Sequence, residues 1–515
     1  MSNKTIKNSF FSLVYQITTL FFALVIRKVF LIAFGVEYLG IINTFTSLIG
    51  ALSLAELGFE TSILYRLYQP LVDNNRELVS KIMNLFRSIY SKIAFIIAVI
   101  VILFSFFLKY IYKDVNFSIE IYIWYYLIGL DSVLSYLLAY KRTLLFADQK
   151  DYLAKRIDLL MIVLCNIARI VFLLYIKSVP LYICVQIFQT VGSNLFVAIV
   201  CRKNYPFIHK AQIDRELLKT IFSDVKNVFA SKISYFVNTS TDVLVVSIMV
   251  GTTMVGYFTN YSTIITALKR IIVSILKPIS PAIGNMLANK ETENNEKRKF
   301  LEIYLLFCFF ILMVTILPCF LLINMFIGKL YGNEFILPVF TVYLLCLNVF
   351  LVILQRGTGD YINGNGLFRV DKYIELIGAL INLVFSVGFA IPFGLNGVLI
   401  GTIFSDMFFI MGRGIVVYRN CFDSKKSEII SFFIQNIYLI CIFLISAVGL
   451  NLMPHVILSN LFILDFVFKG IIYVVCGIVI SLIFTFFLPS FKDSLKLIRS
   501  VVKQRRYHDD KKFSW

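Results

Sequence analysis

The residues able to do chemistry in this chain are ionisable side chains set inside long apolar stretches. Arg27 and Lys28 lie late in the first stretch, and Glu56 and Glu60 end the second at i and i+4, on one helical face. Lys232 and Asp242 fall in the seventh, Lys269 and Arg270 in the eighth, and Asp131, Arg169 and Asp406 in the fourth, fifth and twelfth. A charge at the bilayer centre costs about 2.5–3.5 kcal/mol on insertion scales, so such groups face a hydrated cavity or one another. The cations suit an anionic phosphate group, which a planar guanidinium binds bidentately. The acids suit a proton or a coupling ion. Each has a plainer use as well. Arg27 and Lys28 are placed to snorkel to the interface, Glu56 and Glu60 to pair with Arg66, and Lys269 and Arg270 to act as positive-inside anchors. Asp131 and Arg169 are placed to pair across neighbouring helices, and Asp465 with Lys469 along one helix.

Other chemistries have little to build on. There are three His residues and no H-E-x-x-H, so no metal site is expected. The nine Cys lie mostly within apolar runs and form no C-x-x-C, which reads as small buried hydrophobes and no disulfide framework. No P-loop G-x-x-x-x-G-K-[ST] is present. The Gly-rich stretch 357–366, GTGDYINGNG, lacks a strand–turn–helix context and reads as a flexible loop between apolar helices. No catalytic motif is found, no enzyme is expected, and no cofactor is implied.

The elements that must position these charges are membrane helices. Of 515 residues 59% are hydrophobic and 15% charged, with mean hydropathy +0.84; soluble domains carry about 25% charged residues. Fourteen apolar segments run roughly 9–34, 39–59, 84–108, 119–140, 157–176, 179–200, 228–250, 254–276, 301–327, 335–355, 373–392, 395–418, 429–450 and 462–488. Of the 49 Lys and Arg, 40 fall in the tails and the even-to-odd connections, and four (Lys109, Lys113, Lys177 and Lys329) in the other connections. That alternation predicts both termini on the cytoplasmic side, and it accounts for the net charge of +19 without nucleic acid. The basic, apolar tail 491–515 is expected to lie along the anionic inner leaflet.

The chain also repeats itself. GVEYLGIINTFTSLIGAL (35–52) and GTTMVGYFTNYSTIITAL (251–268) are offset by 216 residues, with Gly35, Gly40, Ala51 and Leu52 matching Gly251, Gly256, Ala267 and Leu268. A duplication predicts an all-α membrane protein of two six-helix lobes, 1–215 and 216–420, with helices 13 and 14 (421–490) appended. At this offset Asp242 falls beside Arg27. Helices 2 and 8 carry the polar pairs Asn43-Thr44 and Thr259-Asn260. Helices 1, 2, 7 and 8 are therefore expected to line a hydrated cavity.

Two blocks resemble the Wzx-like polysaccharide flippases, relatives of MATE extruders and the lipid II flippase MurJ. They are ALSLAELGFETSILYRLYQPL (51–71) and GLFRVDKYIELIGALINLVFSVGFAIPFGLNGVLIGTIFSD (366–406). Glu60 departs from the family's usual Gly, and Gly378-Ala379 from its Glu-Ala pair. The resemblance implies fourteen helices in the bacterial cytoplasmic membrane and a substrate made of undecaprenyl diphosphate carrying an oligosaccharide repeat unit. It implies alternating access, with a proton gradient, a sodium gradient or the membrane potential as the driving force. Polysaccharide polymerase and glycosyltransferases would be partners. A MATE-like drug-cation antiporter needs acids without basic neighbours, and a membrane-embedded polymerase needs a large outside loop; the sequence offers neither.

Overall fold

The computed structural model describes residues 3–51, 59–111, 118–209, 241–277, 279–288, 291–453 and 461–495, with a few isolated positions between 211 and 225. Among them every regular element is helical. Among the described residues eleven helical stretches are long and apolar enough to cross a bilayer, and the chain is a multi-pass membrane protein.

The first two apolar segments form two helical arms, described together as α1 (Asn3–Ala51) and separated by a sharp kink. The bend is Gly35, at φ 83° and ψ −178°, a conformation that a side chain disfavours. It divides α1 into a first arm carrying Arg27 and a second arm carrying Asn43 and Thr44. Next come α2 (Phe59–Val72), α3 (Arg76–Ser105), the single turn α4 (Leu108–Ile111), α5 (Ile119–Ala147), α6 (Asp151–Tyr175) and α7 (Val179–Asn204). Caps fix two of these starts. The Asn75 side chain accepts from the Leu78 N–H at 3.0 Å, and Ser178 accepts from Leu181 at 3.5 Å before Pro180. Most of the seventh predicted segment lies outside the described residues; its end, α8 (241–249), is helical.

Then follow α9 (Thr252–Leu276), α10 (Ile279–Ala288), α11 (Asn294–Leu330), α12 (Val339–Leu354), α13 (Arg356–Gly364), α14 (Phe368–Phe393), α15 (Leu395–Phe422), α16 (Lys426–Asn451) and α17 (Phe462–Thr485).

The chain divides into two compact units, residues 1–259 with 390–395, and residues 260–389 with 396–515. In the first, α5 packs on α3 and α7, and α6 on α1 and α7. Small residues permit the approach: a Cβ at Gly129 would stand 2.7 Å from a Val101 methyl. In the second, α11 is apolar on all sides and carries α12, α16 and α17. The last two helices are thus built into this unit along α11.

The Gly-rich stretch is not a loop. It forms α13, with Gly357, Thr358, Asp360, Tyr361 and Ile362 buried. Asp360 ties it down, accepting from the Tyr304 hydroxyl at 2.9 Å and pairing with Arg356 at 3.7 Å. Gly357 lets the helix lie against Leu301, Tyr304 and Leu305. Tertiary packing here overrides the low helix propensity of its glycines.

Candidate functional site

The repeated block builds a crossing with local two-fold symmetry inside the first unit. Gly35 and Gly251, one repeat apart, both take positive φ, 83° and 127°, and each is followed by a helical stretch. Five residues later the helices meet. A Cβ on Gly40 would lie 1.9 Å from the Thr252 carbonyl oxygen, and a Cβ on Gly256 would lie 2.7 Å from that of Val36. Positions 36 and 252 are themselves repeat equivalents, so the same contact occurs twice with the partners exchanged. One turn on, the Asn43 amide donates to the Thr259 hydroxyl oxygen at 3.0 Å, across a sequence separation of 216. The hydrogen bond joins two repeat-equivalent positions.

The Arg27 guanidinium also donates to the Thr259 oxygen. The Thr259 hydroxyl in turn donates to the Val255 carbonyl at 2.7 Å. One buried hydroxyl therefore accepts from both Arg27 and Asn43 while its own proton is fixed on the backbone. Among the partners of the Arg27 guanidinium is thus a neutral hydroxyl oxygen whose own proton is already committed. Beside it, the buried Thr44 hydroxyl bonds that of Ser247 at 2.9 Å. Ser247 carries no charge and repeats no motif, so the sequence reading missed it. Asn260, also fully buried, has neither amide atom hydrogen-bonded to a described residue. Its repeat equivalent, Thr44, is bonded.

The other predicted residues are placed differently. Lys28 and Arg270 are exposed, while Lys269 and Asp242 are half-buried. Glu56 and Lys232 lie outside the described residues. Glu60 lies in the first described turn of α2 and accepts from the Thr143 hydroxyl at 3.3 Å. Asp131 and Arg169 do not pair. Asp131 accepts from Gln186 at 2.9 Å, and buried Arg169 donates to Asn166 at 3.0 Å and lies over the Tyr182 ring. α7 packs on both α5 and α6 and supplies each with a nearer partner. Asp465 and Lys469 do pair, at 2.8 Å.

Two further clusters use an arginine as a multi-point clamp. Arg142 on α5 binds Asp158 on α6 with two N–H groups at 2.8 Å each, and reaches Asn194 and Ser193 on α7 at 2.6 and 3.0 Å. In the second unit Arg413 on α15 binds Asp371 at 2.8 and 2.9 Å and Glu375 at 3.1 Å, both on α14. Counting Arg142 and Arg413 as cytoplasmic-loop charge hid both clamps.

No family model matches the chain, and no curated protein matches it in sequence. Its fold is similar to that of several solved transporters. The lipid II flippase MurJ in an inward closed conformation superposes with a TM-score of 0.65 at 15% identity, covering 93% of this chain and 99% of that one. An inward-facing MATE multidrug resistance transporter of the MOP superfamily gives 0.58 at 16%, covering 78% and 94%. A MOP superfamily transporter from Pyrococcus furiosus, described as having a binding pocket of reversed polarity, gives 0.52 at 12%, covering 81% and 96%. The chain has the fold of MOP superfamily transporters.

Proposed function

We propose that this protein is a flippase. It moves undecaprenyl-diphosphate-linked oligosaccharide repeat units from the inner to the outer leaflet of a bacterial cytoplasmic membrane, by alternating access, for surface polysaccharide synthesis. The observation that carries the reading is Arg27, a guanidinium held inside the apolar part of the chain by the Thr259 hydroxyl. A fixed planar cation is the group that recognises a diphosphate. The fold similarity to MurJ, described as a lipid II flippase, supports the substrate class. The two sequence blocks support the polysaccharide branch. An inside-negative potential favours outward movement of an anion by about 2.3 kcal/mol per charge per 100 mV, and Asp242 is the candidate acid for ion coupling.

The test is the lipid extract of cells lacking this protein alone. Accumulation of undecaprenyl diphosphate carrying one complete repeat unit, with loss of surface polymer, is the expected result. Accumulation of lipid II instead would assign the chain to peptidoglycan-precursor export. Unchanged lipids with new drug sensitivity would assign it to drug extrusion.

A further inference from the structure

A surface feature independent of the flippase reading runs along α3. Asn84, Arg87, Ser88, Ser91, Lys92, Phe95 and Ile96 line a groove of 660 Å³. Ile100, Leu103, Phe104 and Phe107 line a second of 500 Å³. The second groove lies to one side of a single helical stripe on α3, formed by residues 84, 87, 88, 91, 92, 95, 96, 99, 102 and 103. The stripe lies opposite the buried face that carries Ile82, Phe86, Ile89, Ile93, Ile97 and Val101. The described lining comes from α3 and, at Phe107, from the turn just after it.

The stripe is graded. Its first half is cationic and hydroxylated and contains no acid; its second half is wholly apolar. Arg87 and Lys92 are exposed, and neither makes an ion pair with a described carboxylate. Lys141 on α5 stands within electrostatic range of both Arg87 and Arg202 on α7. Three helices thus bring positive charge to one level of the first unit. Past Lys92 the exposed side chains of α3 are Phe95, Ile96, Val99, Ile102 and Leu103, with Phe106 and Phe107 exposed just beyond its end. Half of a bilayer core, about 15 Å, corresponds to roughly ten helical residues, so a chain lying along the stripe from Lys92 reaches about Ile102.

We propose that this stripe seats an anionic phospholipid of the leaflet nearer the start of α3. The phosphate sits between Arg87 and Lys92, with the Ser88 hydroxyl as a further donor, and the acyl chains lie over Phe95, Ile96, Val99 and Ile100. Charge complementarity selects an anionic headgroup, because a zwitterion would bring a third cation to a site that already holds two.

The experiment uses the purified full-length protein and short-chain phosphatidylglycerol or phosphatidylcholine, with binding read by native mass spectrometry. A photo-crosslinking residue at Phe95 reports the occupant by adduct mass. Phosphatidylglycerol is expected to bind at least tenfold more tightly than phosphatidylcholine. Removing a cation near a lipid surface costs about fivefold in affinity, so R87Q/K92Q is expected to lose roughly 30-fold for the anionic lipid. R87K, which keeps the charge, and K109Q/K177Q, away from the cationic half of the stripe, are expected to keep the preference and so separate lost binding from lost folding. Equal binding of the two lipids, or a preference untouched in R87Q/K92Q, overturns the proposal. A polyprenyl phosphate that displaces phosphatidylglycerol from the Phe95 adduct overturns the assigned occupant.

Discussion

Replacing Gly40 with alanine tests the crossing that organises the candidate site. The new Cβ would fall 1.9 Å from the Thr252 carbonyl oxygen and 2.7 Å from its carbon. Both are backbone atoms, so no rotamer change relieves the contact. The second arm of α1 and α9 must separate by about 1 Å or more, with an overpacking cost of about 1–3 kcal/mol. The separation stretches the 3.0 Å bond from Asn43 to Thr259 and with it the hydroxyl that orients Arg27. At the repeat-equivalent Gly256 the nearest atoms are a Val36 methyl at 2.5 Å, which can rotate away, and the Val36 carbonyl at 2.7 Å. Gly256→Ala should therefore be the milder change. At Gly50, on the same arm as Gly40, an added Cβ would meet nothing within 4 Å. There alanine should gain up to about 1 kcal/mol from helix propensity. Denaturation of the purified protein in detergent, paired with export assays, ranks the three. The expected order of stability is Gly50→Ala above the parent, then Gly256→Ala, then Gly40→Ala. A Gly40→Ala protein as stable as its parent, or a Gly256→Ala protein less stable than Gly40→Ala, would refute the reasoning.

Thr259→Val removes the acceptor shared by Arg27 and Asn43 and should reduce export at unchanged membrane abundance, while Thr259→Ser restores it; quantitative surface-polymer staining against immunoblots checks this. Arg27→Ala and Asp242→Ala are each expected to lower export without lowering abundance, and normal export in both would remove the cavity assignment. Arg142→Ala should cost about 1.5–3 kcal/mol, the range for hydrogen bonds to charged groups. Arg142→Lys should recover part of that, because an ammonium cannot reproduce the two-point bond to Asp158; unfolding of the two variants separates charge from geometry. Lys469→Met removes the cation 2.8 Å from Asp465, which is 4% exposed, and should cost up to about 3–5 kcal/mol. The double change with Asp465→Leu should return most of that loss, and a double variant no more stable than Lys469→Met would contradict the pairing.

Patterns set by solvent and by local backbone were legible in the sequence; partner choice was not. Apolar run length located the helices, because hydrocarbon thickness dictates it. Gly35 and Gly251 exposed the repeat because a positive φ leaves little choice of residue. Arg142 looked like one loop cation among several, since nothing local in the sequence says that Asp158, Ser193 and Asn194 converge on it. Asp131 and Arg169 looked like partners because they are opposite in sign on successive helices. α7 lies against both helices, and no periodicity in α5 or α6 records that. The Gly-rich run at 357 was misread for a related reason: its glycines serve close packing against α11, and a loop would use the same residues. Arg27, Asn43 and Thr259 were all chosen from the sequence. That they share one oxygen became visible only in three dimensions.

The bond between Asn43 and Thr259 bears on the history of the chain. Residues related by an internal repeat meet each other only at a symmetry axis. In a half-length ancestor associating with its own copy, one side chain at this position would have faced itself, and a single glycine five residues after the bend would have built both halves of the contact. In a single chain carrying both copies, each position is free to change alone. An amide on one side and a hydroxyl on the other form an unequal pair that no symmetric dimer can make. Thr259 can therefore take on Arg27 as a second donor without obliging the other half of the molecule to do the same.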